Sequence, residues 1–303
     1  MISARTTLAA IWTAAGFAFC LGALRSLLLL LSNASAAAAI GAFLAPVWLV
    51  AHVIATVLAV VVTLDLPQDS AMRRAWWLMS ASGASACVRY IVEWVSEFSK
   101  WTAATEPLIG IRQIPGVVAL ILLVASLSLI WMSFARMGIG LSLRSRDLIA
   151  IFAVVVLLPP IVLFRENLAD AGSMYSAIRH MQFSQPFLLA CSGALAIVLL
   201  HISEEVGDGQ LSRSLRYLAW FLILRLVLMM CAIVPAIQQI VPLKVVRGGF
   251  NGAMPWLFTL AIAYRWKLVA DARAALKKVS PIQRPRFSEQ VHTRRTGDRA
   301  VQQ

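Results

Sequence analysis

The segment Ala36–Leu64 reads AAAAIGAFLAPVWLVAHVIATVLAVVVTL and contains no Asp, Glu, Lys or Arg. A helix needs about 20 predominantly apolar residues to cross the hydrocarbon core of a bilayer. Backbone groups in lipid must be hydrogen-bonded within the segment itself, and an α-helix achieves this. The segment therefore predicts a transmembrane helix.

The composition of the whole chain places it in the same class. Of its 303 residues, 60% are hydrophobic and 14% are charged, and the mean hydropathy is +0.80. Soluble globular domains have about 25% charged residues. This composition excludes a water-soluble fold.

Eight apolar stretches are long enough to cross a bilayer, so we predict an all-α, polytopic transmembrane bundle of about eight spans over residues 1–279. The fifth and sixth stretches are short, and the eighth begins with glycines. A topology with seven spans, in which one of these three is re-entrant, is the alternative. The predicted spans are Thr7–Leu31, Ala36–Leu64, Ala75–Phe98, Ile114–Ala135, Leu148–Phe164, Pro186–Ile202, Tyr217–Val241 and Gly249–Val269.

The Lys and Arg residues outside these spans lie mostly on the side that holds both termini. By the positive-inside rule, this distribution predicts cytoplasmic N and C termini in a multi-pass protein of the inner (plasma) membrane. Residues 280–303 are basic and poor in apolar side chains, which predicts a disordered tail that contacts anionic lipids. The lipid bilayer is thus the main expected partner, other membrane proteins are a further option, and nucleic acid is not expected.

Charged residues inside the spans mark the candidate site, because a charge in mid-membrane requires a partner, water or a route to the interface. Arg89 and Glu93 are four residues apart, so they share one face of the third helix. Arg225 lies near the middle of the seventh span without a charged neighbour on its own helix. We predict a buried polar network or a ligand-binding site at these residues.

The partner of Arg225 is left open by the sequence. Glu93 is one candidate. The double proline Pro159–Pro160 in the fifth span is another, because each proline leaves a carbonyl unpaired one turn earlier. A bound anion is the third. Plain helix kinking is the simpler role for the two prolines.

The motif Ala190-Cys191-Ser192-Gly193 resembles the cysteine motif of exosortases, multi-span transpeptidase-like proteins with a Cys, Arg and His trio. The resemblance implies a catalytic role for Cys191, with Arg225 in the expected order. The chain departs from the pattern, since Leu189 replaces an acidic residue and Phe250-Asn251-Gly252 stands where the histidine is expected. Without a base, the thiol is not activated.

No cofactor or metal is predicted. His52 and His201 lie within spans and are conceivable haem ligands, but lone membrane histidines more often hydrogen-bond neighbouring helices. The four cysteines have no CxxC spacing, so a zinc site is not supported.

Three function classes fit the sequence. A membrane sensory or scaffold module is favoured, because the last helix can continue into the cytoplasm. A transporter or binder of a small anionic ligand is suggested by Arg225 and the double proline. An intramembrane enzyme is suggested by Cys191 alone, so a non-enzymatic role is the better expectation.

Overall fold

The computed structural model describes residues 4–101, 113–140, 143–157, 176–233 and 240–278. Within these ranges the regular structure is helical throughout, with eight α-helices and no strand. A π-helical turn, Ala153–Leu157, follows the fifth helix. The helices are α1 Ala4–Leu30, α2 Ala34–Leu64, α3 Ala71–Trp101, α4 Gln113–Ala135, α5 Ser145–Phe152, α6 Ser176–Glu205, α7 Gln210–Ile233 and α8 Val241–Lys278.

Four of the described helical segments are long and apolar enough to cross a membrane. They are Ala4–Leu30, Ala34–Leu64, Ile114–Ala135 and Phe187–Glu205. Helices α3, α7 and α8 are not among these four, and α3 and α7 contain Arg89 and Arg225 of the candidate site. The prediction of an all-helical membrane protein is therefore confirmed at the level of fold class.

The ends of the helices differ from the predicted spans mainly in the second half of the chain. Helix α6 begins at Ser176 instead of Pro186, and α8 begins at Val241 instead of Gly249. Pro242 lies in the first turn of α8, where a proline costs no backbone hydrogen bond. Both helices extend beyond their most apolar windows. The prediction missed these ends because hydropathy indicates which residues contact lipid and does not mark where a helix ends.

Two predictions fall on residues outside the described ranges. Pro159 and Pro160 follow the π-helical turn and are not described, and neither is the predicted tail, 280–303. Contacts divide the chain into a compact unit, Met1–Leu268, and a second unit, Val269–Gln303. The second unit is helical over its described residues, 269–278.

Serine hydroxyls connect α3 to α4. Ser82 donates to the carbonyl of Ala119 (2.7 Å), and Ser85 donates to the carbonyl of Pro115 (2.9 Å). In lipid, where hydrophobic burial does not drive helix association, small side chains and interhelical hydrogen bonds hold helices together. These bonds fix the two helices that form one side of the site described below.

Helix α8 packs closely on α1 through glycines. A Cβ atom on Gly252 would collide with the backbone carbonyl of Ala18, so only glycine fits there. The Gly252 carbonyl also accepts a hydrogen bond from Trp48 Nε1 (2.9 Å). The start of α8 is thereby fixed against both α1 and α2.

Candidate functional site

Six helices enclose a cavity of about 430 Å³. Its walls come from α2, α3, α4, α6, α7 and α8. Binding pockets for small organic ligands commonly occupy about 300–1,000 Å³, and sites between helices of a bundle are common. The cavity is thus large enough for a small molecule.

Helix α3 contributes one continuous face to the cavity. Ala86, Arg89, Tyr90 and Glu93 recur at helical spacing, so their side chains project from the same side of the helix. The predicted pair Arg89 and Glu93 therefore faces the same space. Glu93 is the one acidic residue among the described residues that line it.

Helix α7 faces α3 across the cavity with Phe221, Arg225 and Met229, which are four residues apart. Within the described part of the chain, the ionisable neighbours of the Arg225 guanidinium are Arg89, a second cation, and Tyr90. Two guanidinium groups near each other repel, and the repulsion is stronger in an apolar surrounding than in water. With Glu93 included, the described lining of the cavity still has an excess of positive charge.

The Arg89 side chain is positioned by a glycine on α4. A Cβ atom on Gly116 would lie 3.1 Å from Arg89 Cδ and 3.3 Å from Arg89 Nη1. The guanidinium carbon also lies 5.7 Å from the centre of the Tyr90 ring, within range of a cation–π contact. Gly116 and Tyr90 together direct the guanidinium along the cavity wall.

Aromatic rings form a second wall. The His52 ring lies 4.7 Å from the Tyr90 ring and 5.9 Å from the Phe258 ring. His52 Nδ1 donates to the backbone carbonyl of Trp48 at 3.1 Å, one helical turn earlier. His52 is therefore held by a hydrogen bond within its own helix and by ring packing against α3 and α8.

The remaining walls are apolar. They are formed by side chains of four helices, α4, α6, α7 and α8. The residues are Leu120, Leu189, Met229, Met254 and Pro255. Methionine side chains are flexible and adapt to irregular ligands. A ligand that fills this space meets cations on one side and hydrocarbon on the other.

The structure places Cys191 away from this site. Its side chain is exposed on α6, whereas Leu189, two residues earlier, lines the cavity. Among the described residues that line the cavity there is no cysteine. The Cys191 thiol and the Arg225 guanidinium, which the exosortase resemblance would bring together, therefore do not share the cavity.

A second polar region lies where α5 meets the end of α6, and we call Arg144, Asp147, His201, Glu204 and Glu205 the α5–α6 charge cluster. His201 Nε2 is 3.1 Å from Glu205 Oε1, and His201 Nδ1 is 3.6 Å from Asp147 Oδ2. Arg144 forms an ion pair with Glu204 (3.2 Å). In this cluster an arginine pairs with a carboxylate, and both ring nitrogens of His201 lie near carboxylate oxygens.

One residue of the cluster, Glu205, also stabilises a turn at Gly140. Glu205 Oε2 accepts a hydrogen bond from the backbone N–H of Gly140 (2.5 Å), and Gly140 has a φ of +76°, which favours glycine.

Across the described residues, no group of three His, Cys, Asp or Glu side chains has the arrangement of a metal site. His52 and His201, the two conceivable haem ligands, lie in different regions: one lines the cavity and the other belongs to the cluster.

Sequence reasoning singled out Arg89, Glu93 and Arg225, and the structure brings these three to one cavity. It did not single out Tyr90 or Gly116, which position Arg89. Tyr90 could have been noticed as a polar aromatic residue directly beside a membrane arginine. The role of Gly116 had no sequence signal, because it depends on how α4 packs against α3.

The comparisons with known proteins add no relative from which a role could be transferred. No protein-family model, curated protein or solved structure matches the chain. The geometry of the cavity is therefore the observation from which a function is inferred.

Proposed function

We propose that this protein binds a small organic anion inside the membrane, as the substrate-binding bundle of a transporter does. The observation that carries the proposal is the cavity of about 430 Å³ with the guanidinium groups of Arg89 and Arg225 on its walls. Charges within a membrane bundle mark substrate or ion pathways by default.

The charge balance favours an anion as the ligand. Two arginines and one glutamate are the charged side chains among the described residues that line the cavity. Arginine is always charged and offers a planar set of donors that fits carboxylate and phosphate oxygens. A bound anion would reduce the repulsion between Arg89 and Arg225 and would accept hydrogen bonds from both.

The apolar walls favour an organic ligand over a hydrated inorganic ion. Leu120, Leu189 and Met254 offer no hydrogen bonds to replace a hydration shell. A short hydrocarbon body would instead gain about 25 cal/mol for each Å² of apolar surface that it buries. The ligand class that fits both walls is a small carboxylate or phosphate ester with an apolar body.

Thermal melting of the full chain in detergent, with hexanoate, adipate or inorganic phosphate added, tests this proposal. We expect an organic anion to raise the melting temperature, since a ligand at 100 times its Kd stabilises the folded state by about 2.7 kcal/mol. Arg225→Met should abolish the shift and leave the stability without ligand nearly unchanged. Arg144→Met, which removes an exposed arginine of the α5–α6 charge cluster, is the matched control and should keep the shift. A shift that persists in Arg225→Met, or no shift with any of these anions, would contradict the proposal.

A sensory or scaffold role is the second candidate function. Helix α8 supplies Met254 and Pro255 to the cavity and is 38 residues long, well beyond the about 20 needed to cross a bilayer. A ligand in the cavity would therefore touch a helix long enough to extend beyond the membrane. Uptake of labelled ligand into vesicles separates the two roles, since a transporter accumulates it and a sensor does not.

We further propose an inner-membrane, multi-pass topology of eight spans with both termini in the cytoplasm. The support is the distribution of Lys and Arg outside the predicted spans and the four described helices that are suited to cross a membrane. A reporter fused after Lys278 should be active in the cytoplasm. Activity on the opposite side would overturn the orientation.

A further inference from the structure

A smaller chamber adjoins the cavity. Its volume is about 230 Å³, and it is lined by Arg225, Leu228, Met229, Arg247, Asn251 and Met254. Arg225, Met229 and Met254 line the large cavity as well. The two spaces therefore meet at these three side chains, and Arg225 faces both.

The smaller chamber has polar groups of its own on α8. Arg247 and Asn251 are four residues apart, so they lie on one face of the helix, one turn before Met254 and Pro255. A guanidinium and a side-chain amide both donate hydrogen bonds to acidic oxygens. The chamber therefore offers a second set of anion-binding donors beyond those of the large cavity.

The two spaces together contain more positive than negative charge. Among the described lining residues, the cations are Arg89, Arg225 and Arg247, and the anion is Glu93. Two negative charges on a ligand would balance this set. The apolar side chains of Met229 and Met254 lie where the chambers meet, so the part of a ligand that joins its two ends would contact hydrocarbon.

We propose that the ligand is a two-headed organic dianion. One acidic group lies between Arg89 and Arg225, the other is bound by Arg247 and Asn251, and a short apolar body passes Met229 and Met254. The inference rests on the proposed function and adds the ligand's second charge and the residues that recognise it. Small dicarboxylates and phosphorylated carboxylic acids share this chemistry.

Adipate and hexanoate form a matched pair of probes, because they have the same six-carbon chain and differ in one carboxylate. Their dissociation constants are to be measured by calorimetry on the full chain in detergent. Adipate should bind about 10- to 100-fold more tightly, since charge-assisted hydrogen bonds contribute strongly to affinity. Arg247→Gln should remove this preference and leave hexanoate binding unchanged, which also shows that the variant is folded.

The control is Lys244→Gln, which removes a cation from the first turn of α8 that lines neither chamber. It should keep the preference for adipate, so that a general loss of positive charge is excluded as the cause. Equal affinities for adipate and hexanoate in the unaltered protein would overturn the dianion proposal, as would an Arg247→Gln variant that keeps the preference. In either case the proposed function would still hold if hexanoate binds and this binding requires Arg225. Failure of both probes to bind would overturn the proposed function as well.

Discussion

The α5–α6 charge cluster and the cavity between α3 and α7 both bring charged side chains together, but their charges have different neighbours. In the cluster, Glu205 lies against His201 and accepts the backbone N–H of Gly140. In the cavity, Arg225 has another arginine as its charged neighbour, and both guanidinium groups face a void.

This difference is expected if the charges of the cluster hold the fold and those of the cavity bind the proposed ligand. Removing one member of a set of paired polar groups strands the other members, and this destabilises the fold. The described lining of the cavity has two arginines and one glutamate, so its charges do not balance, and we expect Arg225 to contribute little to the stability of the bundle. The following variants test whether the two regions are distinct in this sense.

Glu205→Ala is expected to give the largest loss of stability. It leaves the buried Gly140 N–H without its acceptor, which costs about 1–3 kcal/mol, and it removes the carboxylate nearest His201. Unfolding in mixed detergent micelles with increasing SDS measures this loss, and the affinity for the anion should not change.

Glu204→Ala is the control for that variant. Its ion pair with Arg144 is exposed, with 50% and 54% of the two side chains accessible, and exposed pairs contribute at most about 1 kcal/mol. If Glu205→Ala is no more destabilising than Glu204→Ala, the cluster does not hold the fold. If Glu205→Ala weakens anion binding, the α5–α6 charge cluster and the cavity are not independent.

Gly116→Ala is expected to have a smaller effect, confined to the cavity. The added methyl group would press on the Arg89 side chain, which must leave its position by a few tenths of an ångström or change rotamer. Affinity for the anion should fall about 3- to 10-fold, with little loss of stability. Gly16→Ala, whose new methyl group meets nothing within 4 Å, should bind as the unaltered protein does. An unchanged affinity in Gly116→Ala would show that Arg89 does not contact the ligand.

The sequence allowed the helical membrane fold to be predicted, because each long apolar segment must satisfy its backbone groups as a helix. The ends of the helices were less predictable from the sequence. The segment 242–248 carries Lys244 and Arg247 and was predicted to lie outside a span, yet it forms the first turns of α8. Helix formation there depends on local backbone hydrogen bonds and on packing against α1, and hydropathy reports neither.

The candidate site was predictable in part. Arg225 stands out in the sequence because a charge at that depth is costly, and Arg89 and Glu93 stand out because they share a helix face. The contribution of Arg247 and Asn251 was not predictable, since it requires the start of α8 to lie beside α7. Which helices meet is decided by close approaches such as that of Gly252 to Ala18, and the sequence of one helix does not specify its neighbour.

The sign of the potential inside the cavity is the most direct test of the account, and it requires no knowledge of the ligand. Met229 lines both chambers, so Met229→Cys places a thiol at their junction in a background in which Cys20, Cys87, Cys191 and Cys231 are replaced by alanine. The measurement compares the rates at which this thiol reacts with a negatively charged and a positively charged methanethiosulfonate, each divided by its rate with a free thiol. We expect the anionic reagent to react faster by about 10-fold or more, because a cavity with an excess of positive charge concentrates anions. Arg225→Met should remove most of this preference. Equal rates, a faster cationic reagent, or a thiol that neither reagent reaches would contradict this expectation.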